Sequence, residues 1–187
     1  MLHTANIKMA ELSSRALGIP ITFGFTKGEK EAELADILRT VSDSKRKFRF
    51  QYLGSGGICS EYQRSRLEKI ASEADLGSLA PLWGIDQRSY LEELARRKYR
   101  YILTSVSAAG LDEKWLGRMI DESSLKDLLK LSEKYRFNPA LEGGEGETLV
   151  LDCPIFTNGS IEIVESEKSW DGFRCVLTIK KARLFDK

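Results

Sequence analysis

The apolar residues of this chain change period partway along, and that change limits its possible folds more than any single motif. Up to Gly110, stretches with helical spacing alternate with short apolar runs. Residues 6–17 place Ile7, Ala10, Ser14 and Leu17 on one stripe and stop at Gly18 and Pro20. After Gly28, a charged segment carries Leu34, Ile37, Leu38 and Val41 on one face, and further helices are predicted over 61–74 and 87–97. Between them PITFGFT (20–26), FRFQYLG (48–54) and the continuous apolar run YILTSV (101–106) read as strands. Strands separated by helices predict a parallel sheet with helical crossovers. Beyond Gly110, two short helices near 112–120 and 123–135 lead into EGGEGE (142–147). The β-branched runs TLVLDCPIF, SIEIVES and FRCVLTIKKARLF follow, with turn pairs at Asn158-Gly159 and Asp171-Gly172, which predicts an antiparallel, β-rich end. The expected division is residues 1–115, α/β with a parallel sheet, and 116–187, smaller and α+β.

Composition removes several classes of function. With 187 residues, 42% apolar and 30% charged, the chain can bury a core and does not read as disordered. A formal net charge of +1 supplies no global attraction to nucleic acid or to a membrane surface. No apolar run approaches the roughly 20 residues that span a bilayer, and MLHTANIKMAEL lacks the pattern of a signal peptide. Cys59, Cys153 and Cys175 are widely spaced and form no CxxC pair, which fits a reducing cytoplasm. His3 is the only histidine, so histidine triads and histidine-rich metal sites are not expected, and no metal ligand is assigned. The basic-aromatic runs KRKFRF (45–50) and ARRKYRY (95–101) overlap helix ends, where cations complement the helix dipole, so nucleic acid is not the expected partner.

SGGICS (55–60) lies between an expected strand and an expected helix and has the outline of SGGxDS, a pyrophosphate-binding loop. Ser60 and Gln63 also fit a capping box, which requires no chemistry. A functional reading comes from position, because open parallel sheets bind ligands beyond the carboxyl ends of their strands. With Leu67, Ile70, Ala71 and Ala74 as the buried stripe, Gln63 and Arg64 fall within about 60° of it at ~100° per residue. Sitting in the first turn, they are expected to project past the strand tip. Arg64 and Arg66 near a helix start oppose the dipole preference for acids there, a conflict that an anionic ligand relieves.

Four blocks, GGICSEYQRSRLE (56–68), LAPLWGIDQ (79–87), SAAGLDEKWLGR (107–118) and EGGEGETLVLDCPIF (142–156), resemble the diphthine–ammonia ligase family in order and spacing. MLHTANI and GEKEAEL (28–34) are similar to earlier segments of that family. These are N-type ATP pyrophosphatases. The resemblance implies an α/β fold: a truncated adenine-nucleotide α-hydrolase-like, Rossmann-like parallel sheet with a smaller β-rich C-terminal region. Residues 1–115 become a partial nucleotide-binding domain and 116–187 a substrate-side domain. By the same resemblance SGGICSEYQR is a second signature, not the pyrophosphate loop. The family's SGGxDS loop lies upstream of the segment similar to MLHTANI and is not among these residues.

The remaining constellations are expectations that the resemblance strengthens. Glu142, Glu145 and Glu147 surround three glycines just ahead of a strand. They read either as a solvated acidic approach to a hairpin or as carboxylates that hold Mg²⁺, bind ammonium or accept a proton. Leu141 stands where the family usually has Gly, and Gly146 where it usually has an aromatic residue. Trp83 is either a core plug or a ligand platform, and Asp86 either shapes the cleft or caps the next helix. Ser107–Gly110 is expected on the same rim as Gly56.

The implied function is an ATP-dependent ligase that converts diphthine on translation elongation factor 2 to diphthamide through an acyl-adenylate and ammonia. ATP and Mg²⁺ are the implied cofactors, the modified factor and ammonia the implied partners, and the cytoplasm the implied location. Nucleotide binding falls to Gly56, Gly57, Ser60, Gln63 and Arg64, and catalysis on the ammonia side to Glu142, Glu145 and Glu147. Substrate binding falls to Tyr62, Arg66, Trp83, Gly84, Asp86, Gly143, Gly144 and Thr148. GGICSEYQR and EGGEGET are expected to serve one cleft. A chain without SGGxDS is expected to be inactive towards ATP. The alternatives are a non-catalytic nucleotide- or substrate-binding module of the same descent, and a related pyrophosphatase acting on another carboxylate.

Overall fold

A computed structural model describes residues 6–27, 29 and 32–186. His3, most of MLHTANI, and Gly28 at the expected start of the second helix lie outside the described residues. The fold is α/β with two sheets, one small and parallel, the other antiparallel and covered by helices. Contacts divide the chain into two compact units, Thr22–Ile85 and Thr4–Ile21 with Asp86–Lys187. None of the described helices is long and apolar enough to cross a membrane.

The Thr22–Ile85 unit contains α2 (Ala32–Phe48), β1 (Tyr52–Gly54), α3 (Glu61–Glu73) and β2 (Gly77–Leu79). The two strands pair in parallel, Tyr52 with Gly77 and Gly54 with Leu79. This is the crossover that alternating helix and strand patterns predict, but β2 was not anticipated, because three residues are too few to show a period. Gly77 is required by close approach: a Cβ there would lie 2.5 Å from the Tyr52 ring. Helix α2 ends with Lys45, Arg46 and Lys47 in its last turn, and Arg49 turns left-handed at φ 55°. The run KRKFRF therefore closes a helix, and the expected strand over 48–54 is confined to 52–54. Ala71, Ala74 and Leu76 form the buried cluster, with Leu38, Val41, Phe50 and Leu53 packed against it.

The second unit opens with α1 (Met9–Leu17), which stops at Gly18 in the left-handed conformation. The backbone and side-chain amides of Asn158 donate to Ala16 O and Arg15 O, both at 3.0 Å, so the Asn158-Gly159 turn closes the C-terminus of α1. Then come α4 (Gln87–Arg96), β3 (Arg100–Val106), a 3₁₀ turn (Glu113–Trp115), β4 (Met119–Ile120), α5 (Glu122–Tyr135), β5 (Gly146–Asp152), β6 (Ser160–Trp170) and β7 (Cys175–Phe185). The strands of this sheet pair antiparallel: β3 pairs with β5, β4 and β7, and β7 pairs with β6, while Leu103 of β3 also makes an isolated parallel bridge with Leu116. Ile102, Leu103, Val106, Ile120, Leu125 and Leu128 anchor its buried cluster.

Three elements differ from what their local pattern predicts. Residues 20–26 form no strand; Ile21, Phe23 and Phe25 alternate as in a strand, but alternation names no partner, and Pro20 brings no N–H to a ladder. The run 101–106 is a buried strand, but it belongs to the antiparallel sheet, so the parallel pair is 52–54 with 77–79 and not among 20–26, 48–54 and 101–106. A strand covered on both faces loses its alternation in either kind of sheet, so the apolar run could not choose between them. The helix expected near 112–120 is one 3₁₀ turn followed by the two-residue strand β4.

Candidate functional site

In the first unit, the parallel register sets Gly54 beside Leu79, so the loops 55–60 and 80–85 leave the sheet together at its carboxyl end. Two backbone bonds tie them: Ser55 N–H donates to Leu79 O at 2.8 Å and Gly84 N–H to Ile58 O at 2.9 Å. Ile58 is buried and plugs the loop, while a Cβ at Gly56 would meet nothing within 4 Å. Gly56 therefore leaves open space at a strand end, where a phosphate can approach the backbone. Gln63 Oε1 lies 3.7 Å from where a Cβ on Gly57 would stand. Ser60 Oγ accepts from Gln63 N–H at 3.4 Å and caps α3, the forward half of the expected box.

The expected stripe on α3 is buried at Ile70, Ala71 and Ala74, with Leu67 partly so. Arg64 keeps its guanidinium 4.6 Å from the centre of the Trp83 ring while its Nε donates to Glu68 at 2.8 Å. That hydrogen bond, opposed by partial burial, raises the affinity of Arg64 for its proton. Trp83 is half-buried beneath it. Arg66 stacks on Tyr62 at 3.5 Å. The two arginines thus occupy separate aromatic faces, fixed cations at the start of a helix.

In the second unit, the glycine-rich acidic segment is held by β3 and the loop after it. Ser107 N–H donates to Glu145 O at 2.8 Å and Ser107 Oγ to Gly144 O at 2.9 Å. Ser107 was expected on the rim with Gly56; since β3 lies outside the parallel sheet, it instead clamps residues 144–145. Glu145 Oε1 accepts from Asn138 N–H at 3.1 Å, and Glu145 Oε2 is buried with no hydrogen-bond partner. Glu147 Oε1 lies 3.8 Å from an Arg174 guanidinium nitrogen. Glu142 is close enough to Tyr90 to add to the upward shift that burial, the larger cause, imposes on that phenol. Gly143 and Gly144 are exposed, and Gly144 has φ 89°. Gly146 has a steric reason: a Cβ there would stand 2.6 Å from Ser105 O. Glu147 and Thr148 line a groove of about 810 Å³ with α1 and the apolar Ile19, Ile155 and Phe156. That volume is in the range of small-molecule sites.

Asp86 accepts from Ser89 N–H at 2.9 Å and Ser89 Oγ at 2.7 Å and caps α4, the bonds that lower its pKa. Sequence reasoning missed Asn138, Ser107 as a clamp and Arg174; each is brought in by chain return, which no local pattern announces. Among the described residues no three His, Cys, Asp or Glu side chains converge as metal ligands. The acidic segment does not fit a protein-held Mg²⁺, since Glu145 is turned onto a backbone N–H and Glu147 faces a cation.

Residues 1–78 match the model of the diphthamide synthase N-terminal domain, and residues 86–185 that of the diphthamide synthase C-terminal domain. A diphthine–ammonia ligase of Schizosaccharomyces pombe is 32% identical over 174 residues, covering 91% of this chain and 28% of its own length. That of Mus musculus is 36% identical over 162 residues, 84% of this chain and 59% of the mouse protein. That of Danio rerio is 33% identical over 171 residues, 83% and 66% of the respective chains. The chain thus spans less than two thirds of each of these relatives.

Proposed function

The chain belongs to the diphthamide synthase family, and from that membership we propose that it serves diphthamide biosynthesis as the nucleotide- and substrate-facing part of an ATP-dependent diphthine–ammonia ligase. In that reaction a carboxylate oxygen of diphthine attacks the α-phosphorus of ATP, pyrophosphate leaves, and an acyl-adenylate forms. Ammonia then adds to the acyl carbon, AMP departs with the electron pair of the broken C–O bond, and one proton is lost as the amide forms. Adenylation supplies a leaving group; the protein supplies position and charge.

The open backbone at Gly56 and Gly57 and the amides at the Ser60-capped start of α3 suit phosphate, with Gln63 orienting it and Arg64 supplying charge. Tyr62, Arg66, Trp83 and Gly84 flank that end, where Trp83 offers a face for the adenine or the modified imidazole. Glu142, Glu145 and Glu147 take the ammonia side: the buried, unpartnered Glu145 Oε2 can accept the proton that ammonia loses. Gly143 and Gly144 allow close approach, and Thr148 contributes a hydroxyl. Asp86 acts by capping. The modified residue is that of translation elongation factor 2, and the setting is cytoplasmic.

The observation that carries the reading is the placement of Gly56 and α3 at the carboxyl ends of the parallel strands. The test incubates the protein with diphthine-bearing elongation factor, ATP and ¹⁵N-ammonium. Label in the amide of the modified histidine marks the ligase, and Glu145→Gln should abolish it. Retention of the modified factor without label is expected of a polypeptide confined to these residues, which include no SGGxDS loop. Absence of both label and retention overturns the reading.

A further inference from the structure

The β6–β7 hairpin runs through ten cross-strand pairs from Ser160–Phe185 to Trp170–Cys175 and ends in Trp170-Asp171-Gly172-Phe173-Arg174. Trp170 is 72% exposed and Phe173 89%. Large aromatic surface left in water at a loop tip is unfavourable for an isolated chain, and aromatic anchors are what protein interfaces use. The turn at the tip is held by its own hydrogen bonds. Asp171 Oδ1 accepts from Phe173 N–H at 2.9 Å and Arg174 N–H at 2.8 Å, Asp171 N–H donates to Arg174 O at 3.3 Å, and Gly172 takes φ 100°. A backbone already held in this turn reduces the ordering that binding through the two aromatic side chains requires.

Position decides what the tip would meet. Val106, the last residue of β3, pairs on one side with Gly146, where the acidic segment enters β5, and on the other with Cys175, the first residue of β7. Trp170 pairs with that same Cys175, and Arg174 reaches Glu147. The hairpin tip and the EGGEGET segment therefore share one end of one sheet. A reacting group carried on a protein must bring the surrounding surface across that end, whereas a free small molecule has no use for aromatics beyond the groove.

We propose that the β6–β7 hairpin tip docks the protein substrate, with Trp170 and Phe173 entering an apolar hollow on its surface next to the modified side chain. This rests on the proposed function in that it takes the substrate to be a protein. The test is a titration of immobilised diphthine-bearing elongation factor with the full protein and its variants, each checked for an unchanged melting curve. Trp170→Ala/Phe173→Ala should bind about tenfold more weakly or worse, while Phe25→Ala, which removes an equally exposed aromatic from the first unit, should bind as wild type. Phe173→Ala alone serves if the double variant loses its fold. Undiminished binding by the folded tip variant overturns the inference and leaves the proposed function standing. Binding undiminished while self-association is lost overturns it in favour of a second copy. No binding by wild type overturns the proposed function, and the inference with it.

Discussion

In Thr22–Ile85 the sheet is two parallel strands of three residues each, and the buried cluster is Ala71, Ala74 and Leu76. In the other unit the seven-residue β3 is paired on both edges, and among the described residues fourteen form the larger of two buried clusters. The two regions differ in what their local sequence can complete. Antiparallel neighbours are closed by tight turns such as Asp171-Gly172, whereas each parallel pair needs a helical crossover for every added strand. A two-stranded sheet is marginal unless helices cover it. The loop 55–60 thus stands on the region with less buried surface and the acidic segment on the region with more. Ligand-binding elements are commonly drawn from the less stable part of a structure.

The largest effect that sharpens this comparison is expected at Leu128, 1% exposed in α5. Leu128→Ala should cost about 2–5 kcal/mol, read as a lower urea midpoint; a midpoint unchanged from wild type would break the claim that this cluster dominates. Next comes Gly146→Ala, whose Cβ would stand 2.6 Å from the backbone oxygen of Ser105. A loss of about 1–3 kcal/mol is expected, and neutral behaviour would mean that β5 is not pressed against β3. Ser60→Ala, which removes a long capping bond of 3.4 Å in the first unit, should cost at the low end of the cap range, about 0.5–1 kcal/mol; helix content measured by circular dichroism at rising temperature checks it.

The smallest effect is in pH. Asp121 and Asp171, in the second unit, accept hydrogen bonds from the backbone N–H groups of Ser124 and Arg174 respectively, which holds both carboxyls below their usual range. A folded pKa below the unfolded one adds stability above the unfolded value and loses it as pH falls towards the folded value. The melting temperature should therefore decline on acidification, and Asp121→Asn should flatten part of that decline. Both groups are exposed, so a steep dependence lost with this one substitution would contradict the reading.

Apart from the one expected near 112–120, the helices were legible because their signals are local. Ser60 and Asp86 announce the starts of α3 and α4, and the stripe Ile70, Ala71 and Ala74 is buried as its spacing implies. The Asp171-Gly172 turn was legible for the same reason. Partner choice was not: 20–26 alternates like a strand without being paired, and 101–106 took antiparallel neighbours from residues 119–120, 146–152 and 175–176. The site divides likewise. Glycine and acid composition marked 142–148, but the hold of Asn138 on Glu145 and of Ser107 on Gly144 depends on tertiary return of the chain.

The most direct test of the central claim compares the affinity of the protein for elongation factor 2 carrying diphthine with its affinity for the same factor bearing an unmodified histidine. The account predicts binding about tenfold tighter or more for the modified factor, with the difference reduced by Arg64→Ala and by Glu145→Gln. Equal affinity for the two forms would contradict it.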